Sequence, residues 1–251
     1  MDGPFEHLLT LAADDPDILA VFLGGGRGKG VATPFSDWDC DVVVTDGSRQ
    51  RVEARLADLL SRPEIDGGVV ELAEFSAYAE IGTPEEWDRY TFAHSRVPLD
   101  KTDGLVTQIV REKGRLPAEA RDGLIRSELD AYVNSVYRSL KNSRDGLLLA
   151  SRLDAADSIP AVLAFLFALS GRVRPYNKFL EWELINHPLV DLPSTRAEFL
   201  NMIDVVLATG DVSAQKHLFA AVQDIATMHG LSDVIEAWGD DLALALLRQR
   251  Q

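Results

Sequence analysis

Along the first 115 residues the apolar positions switch between two rhythms. Phe5, Leu8, Leu9 and Ala12 recur at helical spacing and predict a helix over 4–13, whereas 18–23 and 40–44 are short apolar runs that read as strands. Glycines follow the first run. Another amphipathic stretch predicts a helix at 49–60. Strands are then expected at 69–75, after the turn signal Asp66-Gly67-Gly68, and at 95–99, with a helix opening at 105–110. From residue 116 onward only the 3.6-residue period remains. Ile125, Leu129, Val133, Val136 and Leu140 mark one long helix that stops near Gly146. Further helices follow at 148–170, 178–186, 195–208, 213–228 and 231–248, separated by Gly171, Pro188, Pro193, Gly210 and Gly230. Trp182, Trp238 and the tail 242–247 read as bundle core. The pattern predicts an α+β class: a mixed sheet with helices over 1–115, then a helical bundle over 116–251.

Composition narrows the chemistry. With 251 residues, 46% hydrophobic and 26% charged, the chain can bury a full core and is neither disordered nor fibrous. Its one cysteine, Cys40, cannot form an internal disulfide, and the five histidines, at 7, 94, 187, 217 and 229, show no metal or triad spacing, which excludes disulfide scaffolds and zinc enzymes. The acidic start, Met1 to His7, lacks an export signal and gives a cytoplasmic expectation, and the longest apolar run, 159–169, is too short to span a membrane. A net charge of −15 disfavours general binding to a duplex phosphate backbone.

The stretch from Leu23 to Val44 carries the most information. A dinucleotide fingerprint fails in it, because Lys29, Val31 or Thr33 occupies the third glycine position in each register. A Walker A loop ending in Gly28-Lys29 fails as well, with Leu23 and Gly30 at its other fixed positions. What remains is a strand that delivers a glycine turn, and an Asp-x-Asp that opens the next strand. Backbone N–H groups of such a turn can approach phosphate closely. Asp37 and Asp39 project from one strand face about 6.5–7 Å apart, suited to a hard cation such as Mg²⁺ held between carboxylates and phosphate oxygens. Asp41 has the same parity but lies about 13 Å from Asp37 along an extended strand, so a surface or ion-paired role is expected for it.

Gly25-Gly26 followed by Ser36-Asp37-Trp38-Asp39 and the apolar Val42-Val43-Val44 resembles the signature of the nucleotidyltransferase superfamily, which includes polymerase β and the aminoglycoside nucleotidyltransferases. A longer Gly-Gly-Ser-x-x-x-Gly form aligns with 24–30, and the departure is Gly26 where many members carry Ser. The resemblance implies a nucleotidyltransferase fold, Mg²⁺, a nucleoside triphosphate with ATP as default donor, and a small-molecule hydroxyl acceptor. Gly25, Gly26 and Ser36 then contact phosphate. Such transfer needs a third carboxylate, as metal ligand or as base. Glu71 occupies the position where the family places its acid, with Glu74 and an acid of the bundle as alternatives.

Charge distribution adds a second site. Residues 126–178 hold eight basic side chains against five acids. Asn134, Arg138 and Lys141 share a helix face, and the run Arg172-Val173-Arg174-Pro175-Tyr176-Asn177-Lys178 adds a stiffened basic turn. Arg138 and Lys141 are therefore read as a triphosphate clamp, and Lys178 resembles by placement a phosphate-binding residue of the family's helical domains. Asp154 and Asp157 could hold a cationic, aminoglycoside-like acceptor, or Asp157-Ser158 could cap a helix. Two rival readings are a nucleotide-binding regulator without turnover and an enzyme that adenylylates a protein.

Overall fold

The computed structural model describes residues 3–246. The chain divides into two compact units, Met1–Arg115 and Leu116–Gln251. The first is α+β. Its elements run α1 (Pro4–Asp14), β1 (Ile18–Leu23), α2 (Gly25–Lys29), β2 (Trp38–Val44), α3 (Arg49–Leu60), β3 (Ile65–Glu71), α4 (Leu72–Ala77), a 3₁₀ segment (Glu86–Phe92), β4 (Arg96–Asp100) and α5 (Leu105–Lys113). Four strands form one mixed sheet in the order β3-β2-β1-β4. β1 is antiparallel to β2 and β4, and β2 is parallel to β3.

Alternation along the strands builds two cores. Ile18, Val21, Leu23, Cys40, Val42, Val44, Ile65 and Val69 pack with Phe5, Leu8 and Ala12 of α1 and Val52, Leu56 and Leu59 of α3. Ala20, Phe22 and Val43 face the other way, onto Phe75, Ala79, Phe92, Val106 and Val110. Asp39 and Asp41 share the parity of Val43, so β2 presents carboxylates at its start and valine further on. Asp15, buried in the turn between α1 and β1, accepts from Arg51 Nη2 at 2.7 Å and Arg55 Nη1 at 2.6 Å. Those guanidiniums, Arg51 first, hold its carboxyl down at about 2. A depressed folded pKa gives stability that is fully present above the unfolded value and lost as pH falls through the folded one. Asp15→Asn is accordingly expected to cost about 2 kcal/mol at pH 7. Urea midpoints of variant and wild type should converge as the pH is lowered from 4 towards 2.

Two expectations for this unit are corrected. The third strand begins at Ile65 rather than at 69, because Asp66-Gly67-Gly68 is paired sheet and not a turn, and residues 72–75 belong to α4. The glycine turn is itself a short helix, α2, closed by Gly30.

The second unit is all helical among its described residues: α6 (Ala118–Arg144), α7 (Leu148–Leu169), α8 (Leu180–Asn186), α9 (Arg196–Thr209), α10 (Val212–Met228) and α11 (Ser232–Glu236), with 3₁₀ segments at Asn177–Phe179 and Gly239–Leu244. The stripe Ile125, Leu129, Val133, Val136 and Leu140 is buried, as is most of the run 159–169. Ser139 Oγ donates to Ser151 O, and Arg121 donates to Ala168 O and Leu169 O, so α6 and α7 form an antiparallel hairpin. Small side chains at the 139/151 crossing let the two backbones approach. The helix expected over 231–248 is interrupted after Glu236, and its last residues, from 247, lie outside the described residues, as do Met1 and Asp2. Trp182 and Trp238 are half-buried rather than core, Trp238 Nε1 donating to Asp130. Asp157 and Ser158 sit in mid-α7 and cap nothing. Among the described residues, no helix is long and apolar enough to cross a membrane.

Candidate functional site

The site is built where β1 ends and β2 begins. Gly24 N–H donates to Asp39 O at 2.8 Å, which ties the entry of α2 to the first residues of β2. Gly25 opens α2 with φ +54°, and a Cβ there would lie 1.7 Å from Asp39 Oδ2, so the Asp39 carboxylate rests directly over the glycine. First-turn N–H groups of a helix have no acceptor within it, and Gly25 and Gly26 supply such groups here without side chains in the way. A Cβ at Gly26 would sit 3.4 Å from Ser36 Oγ. A hydroxyl therefore lies beside position 26 although that residue is not Ser. Ser36 Oγ also accepts from Thr33 N–H at 2.9 Å, which fixes the turn preceding Asp37.

Arg27 holds that turn from below. Its Nε donates to Ser36 O and Asp37 O at 3.1 and 3.0 Å and its Nη2 to Ser36 O at 2.7 Å. The guanidinium lies 4.3 Å over the Trp38 ring, which stacks on Phe5 at 4.2 Å. Lys29 is buried, donating to Thr91 O, Ala93 O and Ser95 Oγ, and so anchors the end of α2 rather than offering a charge to a ligand.

Across the sheet, the parallel register sets Asp66 directly beside Asp39. Asp37, Asp39 and Asp66 each offer a carboxylate oxygen, and the three oxygens lie within 4.8 Å of one another. Asp37 and Asp39 are half-buried, and Asp66 is exposed. Three hard oxygen donors with one open side suit Mg²⁺, which keeps water or phosphate oxygens in its remaining positions.

No protein-family model matches the chain, and no curated protein is significantly similar to it.

Of the acids singled out from the sequence, the structure brings Asp37 and Asp39 together and leaves Glu71 apart. Glu71 pairs with Val44, five residues beyond Asp39 along β2, which is about 16 Å on strand spacing. Its Oε1 accepts from Gly47 N–H at 2.9 Å, which makes it a clasp for the β2–α3 turn. Glu74 is on α4, ion-paired with Arg49 at 2.8 Å. Asp66 was the residue missed. Its glycine neighbours read as a turn, although glycines inside a strand equally mark close backbone approach.

Asp41 is not exposed and forms no ion pair with a described residue. It is half-buried, and burial pushes its carboxyl up to about 6, against a hydrogen bond from the Gly68 backbone and with Asp88, Asp66 and Glu74 adding to the rise.

In the helical unit, Arg138 Nη2 lies 3.2 Å from Asp154 Oδ1, and Asn142 Nδ2 donates to Asp154 Oδ2 at 2.6 Å. Asp154 is thus already engaged and not open to an ammonium, and Arg138 is partly neutralised. Lys141 and Lys178 form no ion pair with a described residue; each lies over a ring, Tyr137 at 5.7 Å and Phe179 at 5.0 Å.

Proposed function

We propose that this chain is a Mg²⁺-dependent nucleotidyltransferase that moves a nucleoside monophosphate, with ATP as donor, to a hydroxyl of a small molecule. The observation that carries the reading is the convergence of Asp37, Asp39 and Asp66 beside the glycine-opened helix α2. Carboxylates next to a glycine turn without side chains suit a phosphate chain that arrives with its cation. Asp37, Asp39 and Asp66 would hold the ion, and Gly25, Gly26 and Ser36 would receive phosphate oxygens. When bound, Mg²⁺ supplies charge neutralisation at the phosphates.

In the reaction the acceptor oxygen forms a bond to the α-phosphorus, and the α–β bridging P–O bond breaks with its electron pair leaving on pyrophosphate. The hydroxyl proton passes to a carboxylate. Asp66, the exposed member of the three, fills the third-carboxylate role as ligand or as that base. Arg27 keeps the Asp37 turn in place throughout, so little reorganisation is needed as substrates arrive.

The test is a screen with α-labelled nucleoside triphosphates, Mg²⁺ and panels of cationic, neutral and anionic hydroxyl compounds and proteins, scored for transferred label and released pyrophosphate. Label on a small hydroxyl compound, lost in Asp37→Asn, is the expected result. Label only on protein would reassign the acceptor class. Tight nucleotide binding with no transfer would assign the site to nucleotide sensing instead.

A further inference from the structure

Helix α7 carries an apolar stripe that the helices of its own unit leave uncovered. One side of α7, through Ser151, Ala155, Ser158 and Val162, is buried, with Ser151 against Ser139 of α6. The α9–α10 turn adjoins a second side, where a Cβ on Gly210 would lie 3.0 Å from Arg152 Cγ. On the remaining side Leu149 is 74% exposed and Leu153 60%, Ala156 is half-buried and Pro160 is exposed. These residues follow one another at alternating steps of four and three, the spacing that draws one straight seam along a helix packed against another. At 1.5 Å per residue the seam is about 16 Å long. Leu147 and Leu148, exposed at the start of α7, continue the apolar surface. Of the charged side chains on α7, Asp154 is taken up by Arg138 and Asn142. Arg152 and Asp157 remain. Both are exposed, and neither forms an ion pair with a described residue. With about 100° of rotation per residue they stand on opposite flanks of the seam, Arg152 just before Leu153 and Asp157 one turn after it.

We propose that this face of α7 docks a second copy of the chain, the two α7 helices running parallel and in register about a twofold axis. A twofold parallel to the helices sets the left flank of one against the right flank of the other, so Arg152 of each copy meets Asp157 of the other copy. A twofold perpendicular to them sets like flanks together, arginine on arginine and aspartate on aspartate, which is repulsive. The charge pattern therefore selects the parallel arrangement. It also selects the occupant, because a face with one cation and one anion on opposite sides of an apolar seam is complementary to itself. Burial of Leu149 and Leu153 supplies the affinity, and the flanking pairs fix orientation and register. A seam about 16 Å long is small beside the ~800 Å² per partner of a standard interface, so the dimer is expected to dissociate in the micromolar range.

The experiment measures the molar mass of the full chain by sedimentation equilibrium over about a hundredfold range of concentration. Wild type should pass from one chain to two. Leu153→Gln and Arg152→Glu should each raise the dissociation constant at least about tenfold. Arg152→Glu combined with Asp157→Arg should recover wild-type association, because the flanking pairs re-form with their signs exchanged. All of these positions are exposed, so circular dichroism and thermal midpoints should match wild type. Orientation is read separately by mild oxidation of Leu149→Cys and of Ala156→Cys, against a low background because the native Cys40 is buried. Parallel helices in register set each of these positions against itself, and both variants should cross-link to dimers. An antiparallel pair can do so at only one of them. A monomer at every concentration overturns the proposal, as does a dimer indifferent to Leu153→Gln and Arg152→Glu. Cross-linking at one position or at neither overturns the parallel arrangement, and a double variant no better than Arg152→Glu alone removes the charge pairing.

Discussion

Asp66→Asn is expected to reduce Mg²⁺-dependent transfer roughly a thousandfold or more, as far as Asp39→Asn, while Glu71→Gln stays within about twofold of wild type. The contrast follows from register. Asp66 stands beside Asp39 in the parallel β2–β3 ladder with its oxygen in the three-carboxylate group, and Glu71 stands five residues further along, engaged with Gly47 N–H. Removing one ligand charge costs several kcal/mol of transition-state stabilisation, and each 1.36 kcal/mol is a factor of ten. A glutamine at 71 can still accept from Gly47, so the turn should hold. Initial rates at saturating Mg²⁺ and ATP, with circular dichroism to confirm folding, decide the matter. A large loss in Glu71→Gln with none in Asp66→Asn would assign the third carboxylate to Glu71.

Gly67→Ala is expected to destabilise the first unit by ~3 kcal/mol or more and to abolish transfer with it. A Cβ at 67 would fall 1.6 Å from Cys40 O, a backbone atom in the neighbouring strand. No side chain can move aside to relieve that contact. The only relief is to part β3 from β2, which also separates Asp66 from Asp39. Gly68 is the internal control. A Cβ there meets nothing within 4 Å and its φ needs no glycine, so Gly68→Ala should leave stability unchanged or raise it by up to about 1 kcal/mol. Urea unfolding of the two variants reads the difference. Equal destabilisation by both would show that β3 tolerates neither methyl, and the close approach at Cys40 would not be the cause.

Local pattern was enough for much of this molecule. The run 18–23 became β1 and 49–60 became α3 with the bounds that periodicity implied, because each is short, regular and buried on one face. The stripe from Ile125 to Leu140 behaved in the same way. Asp37 and Asp39 were legible as neighbours because two residues on one strand, or at its entry, have a fixed separation whatever the rest of the chain does. Glycine was harder to read, since the same residue marks a turn, a helix start or a close approach. Asp66-Gly67-Gly68 reads locally as a turn, yet Gly67 is demanded by a carbonyl contributed by a strand more than twenty residues earlier.

Local pattern located most of the helices and strands, the apolar faces they bury, and a glycine-led acidic pair, but not the helix at Gly25–Lys29 or the strand residues 65–68. Which third acid joins that pair, and which arginine of the basic turn has no ion pair with a described residue, are settled by tertiary packing. Strand pairing is non-local: a parallel neighbour is chosen by packing of both sheet faces, and the register that sets Asp66 rather than Glu71 beside Asp39 is fixed by where Ile65 and Val69 enter the core with Cys40 and Val42. Ion pairing is equally non-local. Arg172 and Arg174 are two residues apart and alike in sequence, and they differ because Glu183, eleven residues on, is folded back against only one of them.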